Sequence, residues 1–544
     1  MKIHSILLVL FSIFAINSFG QNASSDHWQT ADSIVSAIKT PTFQDRTFNI
    51  TNFGAVGDGH KLNTDAFKKA ITTCSQSGGG KVVVPPGLWL TGPIELQSNV
   101  NLHLDRGALV VFSPEHKNYP MIDPPKRSIL AHPPVYGANL ENVAITGEGI
   151  LDGAGETWRP VKKSKTTASQ WKDLVKSGGI VNEKSNIWWP SKEAMNGKQF
   201  IKELRKTKDK KDLTPQDYLP ARDYLRPYMV LLISCKKVLI DGPTIKNSPK
   251  FALVPNWSED ITIRNVQINN EWWAQNGDGI DISSCKNVLI DHCNVTAGDD
   301  GIAVKSSFSK NSYPTLANVV VKNCIVYHAH GGFVIGSNTD GGMSNVFVSN
   351  CDFVGTDIGL RFKSARDRGG LVENFFIKNI YMKDIIHEAI LFNTYYENAD
   401  QGNVQPVTQF TPRFEKFYID SVYCVGAKQA ILMRGLPEMP IKDIYINHAY
   451  LAADNGFQSD FAAGIHLKNV EIDPKESPIF SIDESQDFTI DQAIIPADTR
   501  QFMQVDGVQT KNITITNTDL SNVSKSIEYG SQADKKSVMI KEIE

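Results

Sequence analysis

The sequence predicts an all-β fold, a parallel β-helix of short stacked strands, and three observations carry that reading. First, a four-residue phrase recurs: Lys237-Val-Leu-Ile, Asp260-Ile-Thr-Ile, Asn287-Val-Leu-Ile, Asn318-Val-Val-Val, Asn345-Val-Phe-Val, Asn374-Phe-Phe-Ile, Lys416-Phe-Tyr-Ile and Asp443-Ile-Tyr-Ile, mostly 23 to 31 residues apart with one spacing of 42. Second, another phrase follows five of these copies after 13 to 18 residues. Aligned, it reads Asp278-Gly-Ile-Asp-Ile-Ser283, Asp300-Gly-Ile-Ala-Val-Lys305, Gly331-Gly-Phe-Val-Ile-Gly336, Ile358-Gly-Leu-Arg-Phe-Lys363 and Glu388-Ala-Ile-Leu-Phe-Asn393. Third, no 3.6-residue period appears, which excludes a helical solenoid.

Two β-rich phrases per repeat describe a coil whose successive turns stack as parallel sheets. Ile280, Ile302, Phe333, Leu360 and Ile390 then form one interior column, and Ile282, Val304, Ile335, Phe362 and Phe392 another. The second column is Gly279, Gly301, Gly332, Gly359 and Ala389, which implies close packing at every turn. The fourth and sixth columns point outward. Cys293, Cys324 and Cys351 each stand six residues after the start of a phrase, where other copies carry Val266, Ile380 and Val422. That equivalence reads as core rather than metal site.

Taken in chain order, Lys2 and His4 precede an apolar run from Ile6 to Ile16, and Ser18-Phe19-Gly20 closes it with small residues before Gln21. This is the pattern of a cleaved export signal at residues 1–20, too short to span a bilayer. Residues 21–544 are expected to form one domain, exported to the periplasm or beyond and without a membrane anchor. Residues 45–110 supply the cap and first turns. There, Asn63 or Thr64 caps a short amphipathic helix reaching about Cys74, with Ala66, Phe67, Ala70 and Ile71 on one face. The main coils occupy 235–525. Between them, residues 161–225 break the pattern with 15 Lys and Arg against 8 Asp and Glu, and with Trp171, Trp188 and Trp189. This insertion fits two readings: a wall that attracts an acidic polymer and stacks on sugars, or a solvated excursion whose tryptophans pack it down. The formal net charge of −3 argues against a nucleic-acid partner. No cofactor motif and no metal-binding cluster is evident, and oligomeric state is not readable.

Four short motifs carry chemistry: Asn276-Gly277-Asp278, Gly298-Asp299-Asp300, Ala329-His330-Gly331 and Arg361-Phe362-Lys363. In this order, with the opening Phe53 to Gly59 and the turn Leu151-Asp-Gly153, they resemble the polygalacturonases, glycoside hydrolase family 28. The stretch His330-Gly-Gly-Phe-Val-Ile-Gly-Ser337 is similar to exo-acting bacterial members. The resemblance implies a right-handed, pectin-lyase-like helix that hydrolyses α-1,4 galacturonosyl linkages in pectin with inversion. It assigns Asp299 as general acid, Asp278 and Asp300 as bases holding the water, and His330 as a helper of Asp299. Arg361 and Lys363 suit a uronate carboxylate, with a salt bridge to the aspartates as the alternative. Asn276, Asn393 and Arg366 are further candidates for substrate binding. Tyr395 or Tyr396 is expected either to stack on a sugar or to be a buried structural aromatic.

The repeat alignment gives a separate check. Asp278 and Asp300 share one column on adjacent turns, Asp299 and His330 share the column before it, and Arg361 and Lys363 project from the same face. Adjacent carboxylates repel, so such a column needs a reason that catalysis supplies. Gly277, Ala329 and Phe362 depart from the family's usual residues without removing a reactive group. Endo-cleavage or a rhamnogalacturonan substrate stays open. A calcium-dependent pectate lyase or a non-catalytic binding solenoid are the readings from other classes.

Overall fold

The computed structural model describes residues 27–396 and 402–541, so the expected leader at 1–20 lies outside the described residues. The chain winds as a right-handed parallel β-helix. Each turn contributes three strands rather than the two phrases legible in the sequence. One turn, for example, runs through Ile280–Ser283, Lys286–Asp291 and Asn294–Thr296. These pair in register with Asp300–Lys305, Leu316–Lys322 and Ile325–Tyr327 of the next. The third strand is only three residues long, too short to show a pattern of its own.

The corners explain the polar residue that opens each first phrase. Lys237, Asp260, Asn287, Asn318, Asn345, Asn374, Lys416 and Asp443 all adopt left-handed backbone, φ between 54° and 60°. Asn and Asp tolerate that region best among residues with a Cβ. Their side chains also bond from turn to turn: Asn287 donates to Asp260 (3.1 Å), Asn318 to Asn287 (3.1 Å) and Asn345 to Asn318 (3.3 Å). A second such ladder, Asp291, Asn323, Asn350 and Asn379, lines the next corner.

Inside, the two expected columns stack in the expected register and are buried. The Gly column is required by space: a Cβ at Gly332 would lie 2.3 Å from the Phe353 ring, and one at Gly359 2.1 Å from Met382 Sδ. Cys293, Cys324 and Cys351 are buried, unpaired thiols in that core, as read.

The first turns expected within 45–110 and the main coils form one continuous coil, which runs on past 525. Its strands run from Thr47–Asn49 to Val538–Ile540. The capping helix spans Thr64–Gln76 and buries Ala66, Phe67, Ala70, Ile71 and Cys74. Asn63 holds the N-cap position, but its side chain makes no cap; it accepts from Val56 N–H and donates to the Val56, Lys61 and Leu90 carbonyls. A further helix at 27–37 has no counterpart in the sequence reading. It lays Trp28, Ala31, Ile34 and Val35 on Val320, Phe347 and Phe376, outside the coil.

The insertion folds into helices Ala168–Lys176 and Lys192–Thr207 and a small antiparallel sheet, Val161–Lys162, Ile187–Trp189 and Ile180–Asn182. A separate core of Tyr119, Trp158, Ile201, Leu213 and Tyr218 anchors this region. No helix among the described residues is long and apolar enough to cross a membrane.

Candidate active site

The three aspartates meet on the outer face of the sheet built from the second phrase. Asp278 precedes Ile280–Ser283 and Asp300 opens Asp300–Lys305, and the pairing of Ile280 with Ile302 puts the two in one column. His330 N–H donates to the Asp299 carbonyl at 2.7 Å, so these two share the preceding column. One carboxylate oxygen from each aspartate lies within 4.8 Å of the others. Asp278 and Asp300 are buried, whereas the Asp299 side chain keeps 18% of its surface exposed.

Cations hold this cluster together. Lys363 Nζ donates to both oxygens of Asp300, at 3.1 and 2.9 Å, and Arg361 Nη1 to Asp300 Oδ1 at 3.1 Å. Both residues therefore pair with an aspartate, the alternative raised for them, rather than lying open to a uronate. Lys305, which sequence reasoning missed, reaches Asp278 Oδ2 at 3.1 Å and Asp281 Oδ2 at 2.8 Å. Its signal was its place in the sixth column, the column of Lys363, directly before Gly336. A Cβ at Gly336 would lie 2.6 Å from Lys305 Cγ, so the Gly makes room for the lysine.

His330 Nδ1 faces Asp299 Oδ1 at 3.1 Å. Its Nε2 lies 3.0 Å from Lys165 Nζ and 3.7 Å from Asp357 Oδ2. Lys165 comes from the insertion, and no repeat or motif pointed to it.

Burial pushes the Asp278 carboxyl well above the ordinary carboxylate range; Lys305 opposes this, and Asp281, Asp299 and Asp300 add to it. Burial also acts on Asp300, but Lys363, Arg361 and Lys305 outweigh it and hold that group anionic. For Asp299, burial is outweighed by the His330 hydrogen bond and charge and by Lys363, despite repulsion from Asp300, so its direction is downward. In the free site, then, burial favours a proton on Asp278, whereas the cations around Asp300 and the imidazole beside Asp299 favour the anion at those two. Asp278 Oδ1 is buried with no hydrogen-bond partner among the described residues.

The flanks divide the remaining candidates. Asn276 Oδ1 accepts from Arg226 Nη2 at 2.9 Å and lines a cavity of ≈460 Å³ beside the aspartates. Insertion residues Lys162, Ile187 and Trp189 wall this cavity, with Arg127, Arg226, Lys250 and Tyr228 opposite; no Asp or Glu is among its described lining residues. Trp188 is buried and packs the insertion down.

On the other flank, Tyr396 has Lys363, Arg361 and Arg368 about its ring, at 5.1, 5.8 and 5.8 Å. Three other candidates are engaged within the chain. Tyr395 is 2% exposed and belongs to the core of its turn. Asn393 lies beneath Lys363 as expected, yet its Oδ1 accepts from Tyr395 N–H at 2.9 Å and so shapes that turn. Arg366 forms a two-pronged ion pair with Glu438, at 2.7 and 2.9 Å, which neutralises it away from the aspartates.

Such a site can hold one proton among three carboxyls, keep one carboxylate ionised and receive an anionic ligand. Residues 221–412 match the family model of Glycosyl hydrolases family 28. The chain is similar to the crystal structure of a hyperthermoactive exopolygalacturonase from Thermotoga maritima, with 30% identity and a TM-score of 0.68 over 83% of this chain and 97% of that one. It is 27% identical to an exo-poly-alpha-D-galacturonosidase of Dickeya chrysanthemi, covering 75% of this chain and 67% of the relative. A probable polygalacturonase of Vitis vinifera is 26% identical over 74% of each. With the aspartate cluster in register on a parallel β-helix and a relative at this identity matched along nearly its whole length, the chain belongs to family 28 of the glycosyl hydrolases.

Proposed function

We propose that this enzyme releases galacturonate from the ends of pectin chains, cutting α-1,4 linkages by general acid/base hydrolysis with inversion. The observation that carries the reading is the asymmetry of the three aspartates. Asp299 keeps 18% of its side chain exposed, against 4% for Asp278 and Asp300, which are paired with Lys305 and with Lys363 and Arg361. Asp299 is thus the group that a glycosidic oxygen reaches, and it acts as the acid. The proton resident on Asp278 in the free site lies within carboxylate-to-carboxylate reach of it, so the cluster titrates as a unit. Substrate that excludes water from Asp299 raises its proton affinity and draws the proton forward. Asp300, kept ionised by its cations, takes the proton of the attacking water, and Asp278 shares that water once its own proton has moved.

Oxygens within 4.8 Å are closer than the roughly 6.5–9.5 Å separation usual for inverting glycosidases. The third carboxylate offsets this, since the water is held by a pair beside the acid rather than by one base opposite it. Exo-action is supported by the cationic cavity at Asn276. It is walled by the insertion, and its four cations with no lining carboxylate suit a terminal uronate. A chain-end polymer substrate also fits export, with cleavage before Gln21. N-terminal sequencing of the exported protein tests that point.

The deciding experiment is product analysis on galacturonan and rhamnogalacturonan oligosaccharides. Monogalacturonate from the first time point, released initially as the β-anomer in proton NMR, is expected from the galacturonan. A ladder of oligomers rules out exo-action, an initial α-anomer rules out inversion, and ultraviolet-absorbing unsaturated ends would mean a lyase.

A further inference from the structure

Lys165 presents a closed set of contacts. An ammonium has three N–H donors and no acceptor. Lys165 Nζ meets the Trp272 carbonyl at 3.1 Å, the Gly298 carbonyl at 3.0 Å and His330 Nε2 at 3.0 Å. Three donors meet three acceptors, which leaves none to bind a substrate carboxylate. The third contact is an attraction only if Nε2 offers its lone pair, because an N–H there would point at a cation. The imidazole proton is then on Nδ1, 3.1 Å from Asp299 Oδ1. The other groups about the ring agree with this arrangement. Arg361 bonds the His330 carbonyl at 3.3 Å, not the ring, and Asp357 Oδ2 is 3.7 Å from Nε2, beyond hydrogen-bond reach. Burial lowers the proton affinity of Lys165, Asp299 and Asp357 oppose this by drawing the ammonium in, and the positive charge of Lys162 adds to the lowering.

We propose that Lys165, supplied by the basic insertion, is a positioning residue that fixes His330 as its Nδ1–H tautomer and thereby sets which oxygen of Asp299 carries the catalytic proton. With Nδ1–H facing Oδ1 at 3.1 Å, a protonated Asp299 holds its proton on Oδ2. Without Lys165, Nε2 is released to take the imidazole proton and turn it toward Asp357. Nδ1 then becomes an acceptor and competes with the glycosidic oxygen for the acid's proton. The insertion would therefore complete the acid as well as wall the groove. This inference rests on the reading of Asp299 as the acid, and its first test does not.

That test is nitrogen-15 NMR of the imidazole in the free, wild-type enzyme at about pH 8, above the ordinary histidine range and below the ordinary lysine range. His330 is expected with Nδ1 protonated and Nε2 bare. An Nε2–H signal in the wild type overturns the proposal whatever the activity. Lys165→Met is expected to move the proton to Nε2 and to lower kcat by up to about 100-fold, the scale of a misplaced catalytic group, with KM little changed. Lys165→Arg, which still donates, is expected to keep the Nδ1–H signal and recover most of kcat. A Lys165→Met enzyme with the wild-type tautomer, or one that loses KM rather than kcat, also overturns it. Should Lys165→Met fail to fold, the wild-type and Lys165→Arg spectra still decide. If Asp299→Asn keeps turnover while the tautomer is as proposed, the acid assignment fails and the positioning of His330 stands.

Discussion

Lys305 sets one ammonium against two aspartates of the neighbouring turn, 3.1 Å from Asp278 Oδ2 and 2.8 Å from Asp281 Oδ2. It is the only cation in ion-pair contact with Asp278 among the described residues. Asp278 is thereby held between this lysine and the carboxyls of Asp281, Asp299 and Asp300. Removing Lys305 leaves two buried carboxyls unpaired. Lys305→Met is expected to cost about 3 kcal/mol of stability, measured by denaturant unfolding, and to shift the ionisation of Asp278 further upward. A melt within 1 kcal/mol (about the error of a single comparison) would show the pair to be dispensable.

Asp299→Asn keeps an oxygen for His330 Nδ1–H to donate to but has no proton to give. It is expected to lower kcat by roughly 10²–10⁴-fold, the usual contribution of a general acid, with thermal stability and oligosaccharide affinity retained. Turnover near the wild-type level would end the acid assignment.

Lys250 lines the cation-rich cavity and lies over the Tyr228 ring at 4.9 Å. If the cavity binds a uronate with equal strength in ground and transition states, Lys250→Met raises KM for short galacturonides by about tenfold and leaves kcat unchanged. A fall in kcat alone would place the cavity's role in the chemistry rather than in holding the chain end.

Asp460 gives a pH signature that is independent of catalysis. Burial, with Asp483 next to it in the same column, pushes its carboxyl up to about 6; Arg434 on the other side opposes this. A carboxyl raised on folding binds more protons in the native state than in the unfolded one. Its contribution is therefore fully present below about pH 4 and lost as pH rises through 6. Asp460→Asn is accordingly expected to raise the melting temperature at pH 8 and to leave it nearly unchanged at pH 4. An equal gain at both values would show that the charge is not the cause.

Much of the site was legible because a solenoid turns sequence spacing into space. Once the phrases are aligned, column membership puts Asp278 over Asp300 and Asp299 over His330 with no tertiary information, and the structure keeps both registers. Arg366 and Asn393 show where that logic ends. Arg366 lies three residues past the aligned strand, where a turn hands it to Glu438, a residue 72 positions away. No periodicity reports that contact. Asn393 keeps its column, but its side chain folds back on the next peptide, a local choice that column membership does not constrain.

The sequence by itself determined the parallel coil, its interior columns and the face on which the aspartates gather. These depend on near neighbours and on a repeat, and pleating gives every second residue one direction. Only the tertiary structure decided the charge state of that face. It brought Lys305 against Asp278, Lys363 and Arg361 against Asp300, and Lys165 from a segment without repeats against His330. Electrostatic energies in a buried site depend on distances of a few ångströms between groups far apart in the chain, and the amino-acid order does not carry those distances.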